Sequence, residues 1–66
     1  MLFRSDAKLT QMLKEGYSLK FTNSFENKIV LQAIKNGVAG YITRDRSDDM
    51  QATLVEMLNK AEQLLS

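Results

Sequence analysis

The sequence predicts an α+β domain of two layers, ordered helix, three strands, helix (α-β-β-β-α). The strands form a three-stranded antiparallel meander, with the two helices packed on one face. Three observations predict it. Tyr17, Leu19 and Phe21 alternate strictly with Ser18, Lys20 and Thr22, the period-two pattern of a half-buried strand. Asn36-Gly37 sits between two β-rich runs, KIVLQAIK and VAGYITR, as a hairpin turn would. Segments on either side of this β-rich stretch carry apolar residues at helical spacing instead.

Taken in order, Ser5 is suited to cap a first helix, with Asp6 at the positive end of its dipole. Leu9, Met12 and Leu13 share one helical face, and Gly16 supplies the stop, because it enters the left-handed conformation without penalty. This helix is only about ten residues long and persists in water only if packed. After the YSLKFT strand, Asn23, Ser24, Glu26 and Asn27 break the alternation and form a loop around Phe25.

Asn and Gly both accept positive φ, so the next turn is type I′ and its two-residue length fixes the register. Lys35 faces Val38, Ile34 faces Ala39, Ala33 faces Gly40, Gln32 faces Tyr41, Leu31 faces Ile42 and Val30 faces Thr43. Leu31, Ala33, Val38, Gly40 and Ile42 then share one face, with Ile29 at its margin. Val30, Gln32, Ile34, Ala39, Tyr41 and Thr43 share the other. The first face lacks polar side chains and is assigned to the core, where the Ala33–Gly40 pair leaves room for a helix to approach.

The last element is a helix that Ser47 caps, with Asp48 and Asp49 as dipole partners. Met50, Leu54, Met57, Ala61 and Leu64 make its apolar stripe, widened by Leu58 and Leu65. Glu56 and Lys60 form an i, i+4 pair on its exposed side.

The chain has 66 residues, read as a single small domain, 1–66, that buries only about 60% of its unfolded surface. Cysteine and histidine are both absent, so disulfides and the usual zinc ligands cannot staple it. Self-association is the remaining way to bury more surface, and a homodimer or higher homo-oligomer is expected. Hydrophobic and charged shares of 44% and 26% are those of an ordinary globular domain. No apolar run nears the roughly 18 residues of a membrane span, and MLFRSDAKL has no signal-peptide h-region, so a cytoplasmic protein with no membrane partner is expected.

The formal net charge is +1, with Lys8, Lys14, Lys20, Lys28, Lys35 and Lys60 scattered rather than clustered. Nucleic-acid binding, which rests on a basic patch, is therefore not expected and stands only as an accessory-protein alternative. The charged stretch GYITRDRSDD offers Arg44 and Arg46 as an anion clamp beside a helix N-terminus. Against this, Asp45, Asp48 and Asp49 bring negative charge to the same spot, and the segment reads first as a helix start. It lacks the alternating ligands, central Gly and distal Glu of a calcium loop. With no His or Cys, no nucleophile elbow and no phosphate-binding glycine motif, the chain is not expected to be an enzyme or to carry a cofactor or metal.

The second sheet face is unusual, since Val30, Ile34, Ala39 and Tyr41 interrupt Ser18, Lys20, Thr22, Gln32 and Thr43 on a surface that would normally read polar. One reading is that β-branched and aromatic residues simply favour strands. The other is a contact surface, for a second copy or for another protein, with Tyr41 as its central aromatic anchor. Phe3 and Phe25 are expected to border it. Binding is expected through this face and the adjoining Thr43–Arg46 corner, so the partner-binding residues are Lys20, Val30, Gln32, Ile34, Tyr41, Thr43, Arg44 and Arg46.

The short first helix, the YSLKF strand, the hairpin around NG and the Ser/Asp start of the last helix resemble small phage-encoded proteins. These order a helix, three strands and a helix, as compact anti-CRISPR inhibitors of the type II-A RNA-guided nuclease do. The resemblance implies a non-enzymatic, phage- or mobile-element-encoded inhibitor that occupies a host protein's surface in the host cytoplasm, with an anti-defence role. Lys20, Lys28, Lys35, Arg44 and Arg46 set the chain apart from inhibitors that imitate DNA with an acidic surface. The alternative from another class is an oligomer that sequesters a small anionic ligand, such as a signalling nucleotide, with Arg44 and Arg46 as its clamp.

Overall fold

The computed structural model describes residues 4–23 and 26–65, with the side chains of residues 4 and 5 left aside. Five elements follow the expected order: helix α1 (Arg4–Lys14), strands β1 (Ser18–Asn23), β2 (Lys28–Lys35) and β3 (Val38–Asp45), and helix α2 (Met50–Leu65). The strands form one antiparallel sheet in the order β1-β2-β3.

Helix α1 begins at Arg4, so Ser5 lies inside its first turn rather than ahead of it. It ends as expected at Gly16, whose φ is +97°. The Gly16 N–H donates to Leu13 O (3.2 Å) and the Tyr17 N–H donates to Met12 O (3.1 Å), the paired bonds of a Schellman end. The accompanying apolar contact is present too, because Met12 and Tyr17 both enter the core. Gly16 thus turns the chain from helix to strand and buries the first aromatic ring in the same step. Lys35 Nζ lies 4.5 Å from the centroid of that ring, a cation–π contact across the sheet.

The hairpin has the register that its turn dictates. Asn36 and Gly37 take φ of +54° and +79°, and β2 pairs with β3 from Lys35↔Val38 through Ala33↔Gly40 to Lys28↔Asp45. Leu31 and Ala33 are fully buried and Ile42 nearly so, while Tyr41 is 64% exposed. Met12 of α1 and Met57, Leu58 and Ala61 of α2 complete this core, so both helices cover the same face. Helix α2 lies on β3 and β2, and α1 packs chiefly against α2. Lys8 Nζ donates to Glu62 Oε1 at 2.6 Å, joining the two helices through a half-buried ion pair.

Three apolar assignments are corrected. Leu13 and Leu64 are 53% and 54% exposed, and the buried stripe of α2 runs instead through Met57, Leu58 and Ala61. Val38 is on the core side of β3 yet 58% exposed. The reason is reach. Leu65, the last residue of α2, lies over Gly40, so the tip of the hairpin extends past the helix.

Candidate functional site: the open face and edge of the sheet

Pairing across three strands arranges the uncovered face in rows. Ser18, Ile34 and Ala39 form one, Lys20, Gln32 and Tyr41 the next, and Thr22, Val30 and Thr43 the third. Beyond them, Lys28 and Asp45 make an exposed ion pair of 3.6 Å, which contributes little in water. Val30, Gln32 and Ile34 are half-buried because they stand on the central strand between two flanking rows. Tyr41 stands in the middle row, where its hydroxyl accepts a hydrogen bond from Gln32 Nε2 at 3.1 Å. That bond gives the exposed ring a neighbour on its own face. Phe3 and Phe25, expected at the border of this surface, lie outside the described residues.

Arg44 and Arg46 lie off this face, at the end of β3. The alternation that turns Tyr41 and Thr43 outward turns Arg44 toward the helices. Its Nε donates to Glu56 Oε1 (2.7 Å) and its Nη1 to Thr43 O (2.8 Å). Glu56 therefore serves Arg44 rather than Lys60. Arg46 follows the end of β3 and its guanidinium donates to Asn23 Oδ1 of β1. Each arginine is held by its own acceptor, and the two do not converge as a clamp. The cap is also reassigned. Asp49 precedes α2, and its Oδ1 accepts from the Ala52 N–H at 3.1 Å. Ser47 stands outside, donating to Asp49 O and sharing a 2.8 Å hydrogen bond with Thr53 Oγ1. Among the described residues, no group of three or more acidic side chains is placed to hold a metal ion, and no helix is long and apolar enough to cross a membrane.

The backbone phase of β3 adds a feature that pattern reading passed over. The Arg46 N–H donates to Asn27 O at 3.1 Å, continuing the ladder past the strand end. Residues alternate in antiparallel pairing, so Val38, Gly40, Ile42 and Arg44 point their N–H and C=O groups at β2. Ala39, Tyr41 and Thr43 point theirs away, at the free edge of the sheet. The guanidinium of Arg44 thus caps an outward carbonyl. Beside this edge lies an open groove of about 450 Å³, lined by Arg44, Val55, Glu56, Asn59, Lys60 and Gln63. The signal was available in the sequence: a two-residue hairpin loop makes Lys35 and Val38 a hydrogen-bonded pair, which sets the phase of every residue after it.

Comparison with known proteins finds no matching family model, no matching curated protein and no matching solved structure.

Proposed function

We propose that this chain is a small non-enzymatic interaction protein that docks the open face of its sheet onto another protein, a host protein that it modulates or inhibits. One observation carries the reading: Tyr41, 64% exposed, stands in the middle row of an uncovered face that also presents Val30, Ile34 and Ala39. Tyr41 stands at the β3 end of that row, and exposed aromatic residues flanked by polar neighbours are where binding energy concentrates. The polar residues of the face are Lys20, Thr22, Gln32 and Thr43. Less supports the anionic-ligand alternative, since Arg44 is paired with Glu56 and the Arg46 guanidinium is directed to Asn23.

The test is a comparison of the wild-type chain with Tyr41→Ala and Tyr41→Phe as immobilised baits, followed by affinity measurements on each purified partner. Tyr41→Ala should weaken binding about 30-fold or more, the effect of losing roughly 2 kcal/mol at an aromatic anchor, and Tyr41→Phe should retain most of it. Partners bound equally by wild type and Tyr41→Ala would remove this face from the function.

A further inference from the structure

The open face alone is a narrow platform. Three strands about 4.8 Å apart and about eight residues long span on the order of 400 Å², against the roughly 800 Å² per partner of a standard interface. The rest of the grip has to come from elsewhere on the molecule.

We propose that the free edge of β3 is a second recognition site, which takes an extended peptide segment as a fourth strand and places an acidic side chain of that segment against Lys60. Three observations meet there. The backbone groups of Ala39 and Tyr41, with the Thr43 N–H, face outward in a phase fixed by the Arg46–Asn27 bond, and a peptide strand supplies their partners. The groove beside this edge gives room for the side chains that such a strand would turn toward the helices. It follows α2 from Val55 to Gln63, about 12 Å of helix rise, which matches three to four residues of an extended chain. Lys60 supplies the specificity. Arg44 in the same groove is neutralised by Glu56, while Lys60 has no ionic partner among the described residues and leaves the groove with uncompensated positive charge.

The edge is also guarded at one end. Natural sheets blunt open edges with charges, prolines or bulges. This chain has no proline, and here Arg44 and Asp45 mark the limit of the accessible stretch. The peptide therefore pairs with Ala39 and Tyr41 and stops at Thr43, whose carbonyl Arg44 already occupies.

The experiment titrates the full chain with a synthetic Thr-Val-Thr-Glu-Thr-Val-Thr peptide, blocked at both ends, and with its Glu→Lys counterpart, followed by amide NMR and hydrogen exchange. The Glu peptide should shift the Ala39, Tyr41 and Thr43 amides saturably and slow exchange at Ala39 and Tyr41 at least tenfold. Its advantage over the Lys peptide should be about threefold, the worth of one exposed ion pair, and Lys60→Glu should reverse the order. Lys60 is exposed, so that variant keeps the fold. The proposal is overturned if no saturable shift appears at millimolar peptide, if the shifts fall on β1 instead, or if Lys60→Glu leaves the preference unchanged. Tyr41→Ala keeps the backbone groups of the edge, so loss of face binding and loss of peptide binding are read separately.

Discussion

Leu31 and Tyr41 lie on opposite faces of one hairpin, and truncating each to alanine should destabilise the fold to very different degrees. Leu31 is fully buried on the central strand, where it pairs with Phe21 on one side and Ile42 on the other. Removing its three outer carbons forfeits about 2.4 kcal/mol of transfer free energy at about 0.8 kcal/mol each. The cavity left beneath the helices raises the cost to about 3–5 kcal/mol. A domain of this size has about that much stability in total, so Leu31→Ala should be largely unfolded at 25 °C. Tyr41 already has most of its surface in water, and its loss should cost on the order of 1 kcal/mol, lowering Tm by about 4–8 °C. Thermal and urea melts followed by far-UV circular dichroism measure both. If the two substitutions cost the same, or if Leu31→Ala melts like the wild type, the assignment of the faces is wrong.

Two further outcomes follow from the geometry. Asp49→Ala should cost about 1 kcal/mol, because it removes the acceptor of the Ala52 N–H, and Ser47→Ala should cost less; urea midpoints at unchanged m-value resolve the difference. At Gly40, an added Cβ would meet Leu65 Cδ2 at 3.6 Å, an ordinary contact, so Gly40→Ala should be neutral or stabilising by up to about 1 kcal/mol. Gly40→Leu should instead displace the end of α2 and lower Tm clearly, and comparable melting of the two variants would place α2 elsewhere.

Much of this fold was legible because a few residues act as fixed points. Gly16 and Asn36-Gly37 adopt backbone conformations that most residues resist, so each sets a boundary regardless of the rest of the chain. From the second of them the whole hairpin register follows by counting. What was not legible depended on contacts between elements distant in sequence. Ser47 and Asp49 are both good caps, and the choice falls to Asp49 through the path by which the chain leaves β3. Glu56 could serve Lys60 one helical turn away or Arg44 across the interface, and only the packing of α2 on β3 decides for Arg44. The alternation that turns Tyr41 outward also turns Arg44 inward, so its partner had to come from the helix layer. Its neighbours in the charged stretch suggested a shared corner, and the pleat separated them.

The meander has a consequence for the order of assembly. Each strand finds its partner within a short stretch of sequence, so hairpin closure belongs to the microsecond events of folding. The Lys8–Glu62 contact between the helices spans 54 positions and has to close a much larger loop. A sheet that closed before the helices docked would leave Leu31, Ala33 and Ile42 facing water. Covering that greasy side is the task that the two helices perform for this small chain, and losing either would bare it to neighbouring molecules.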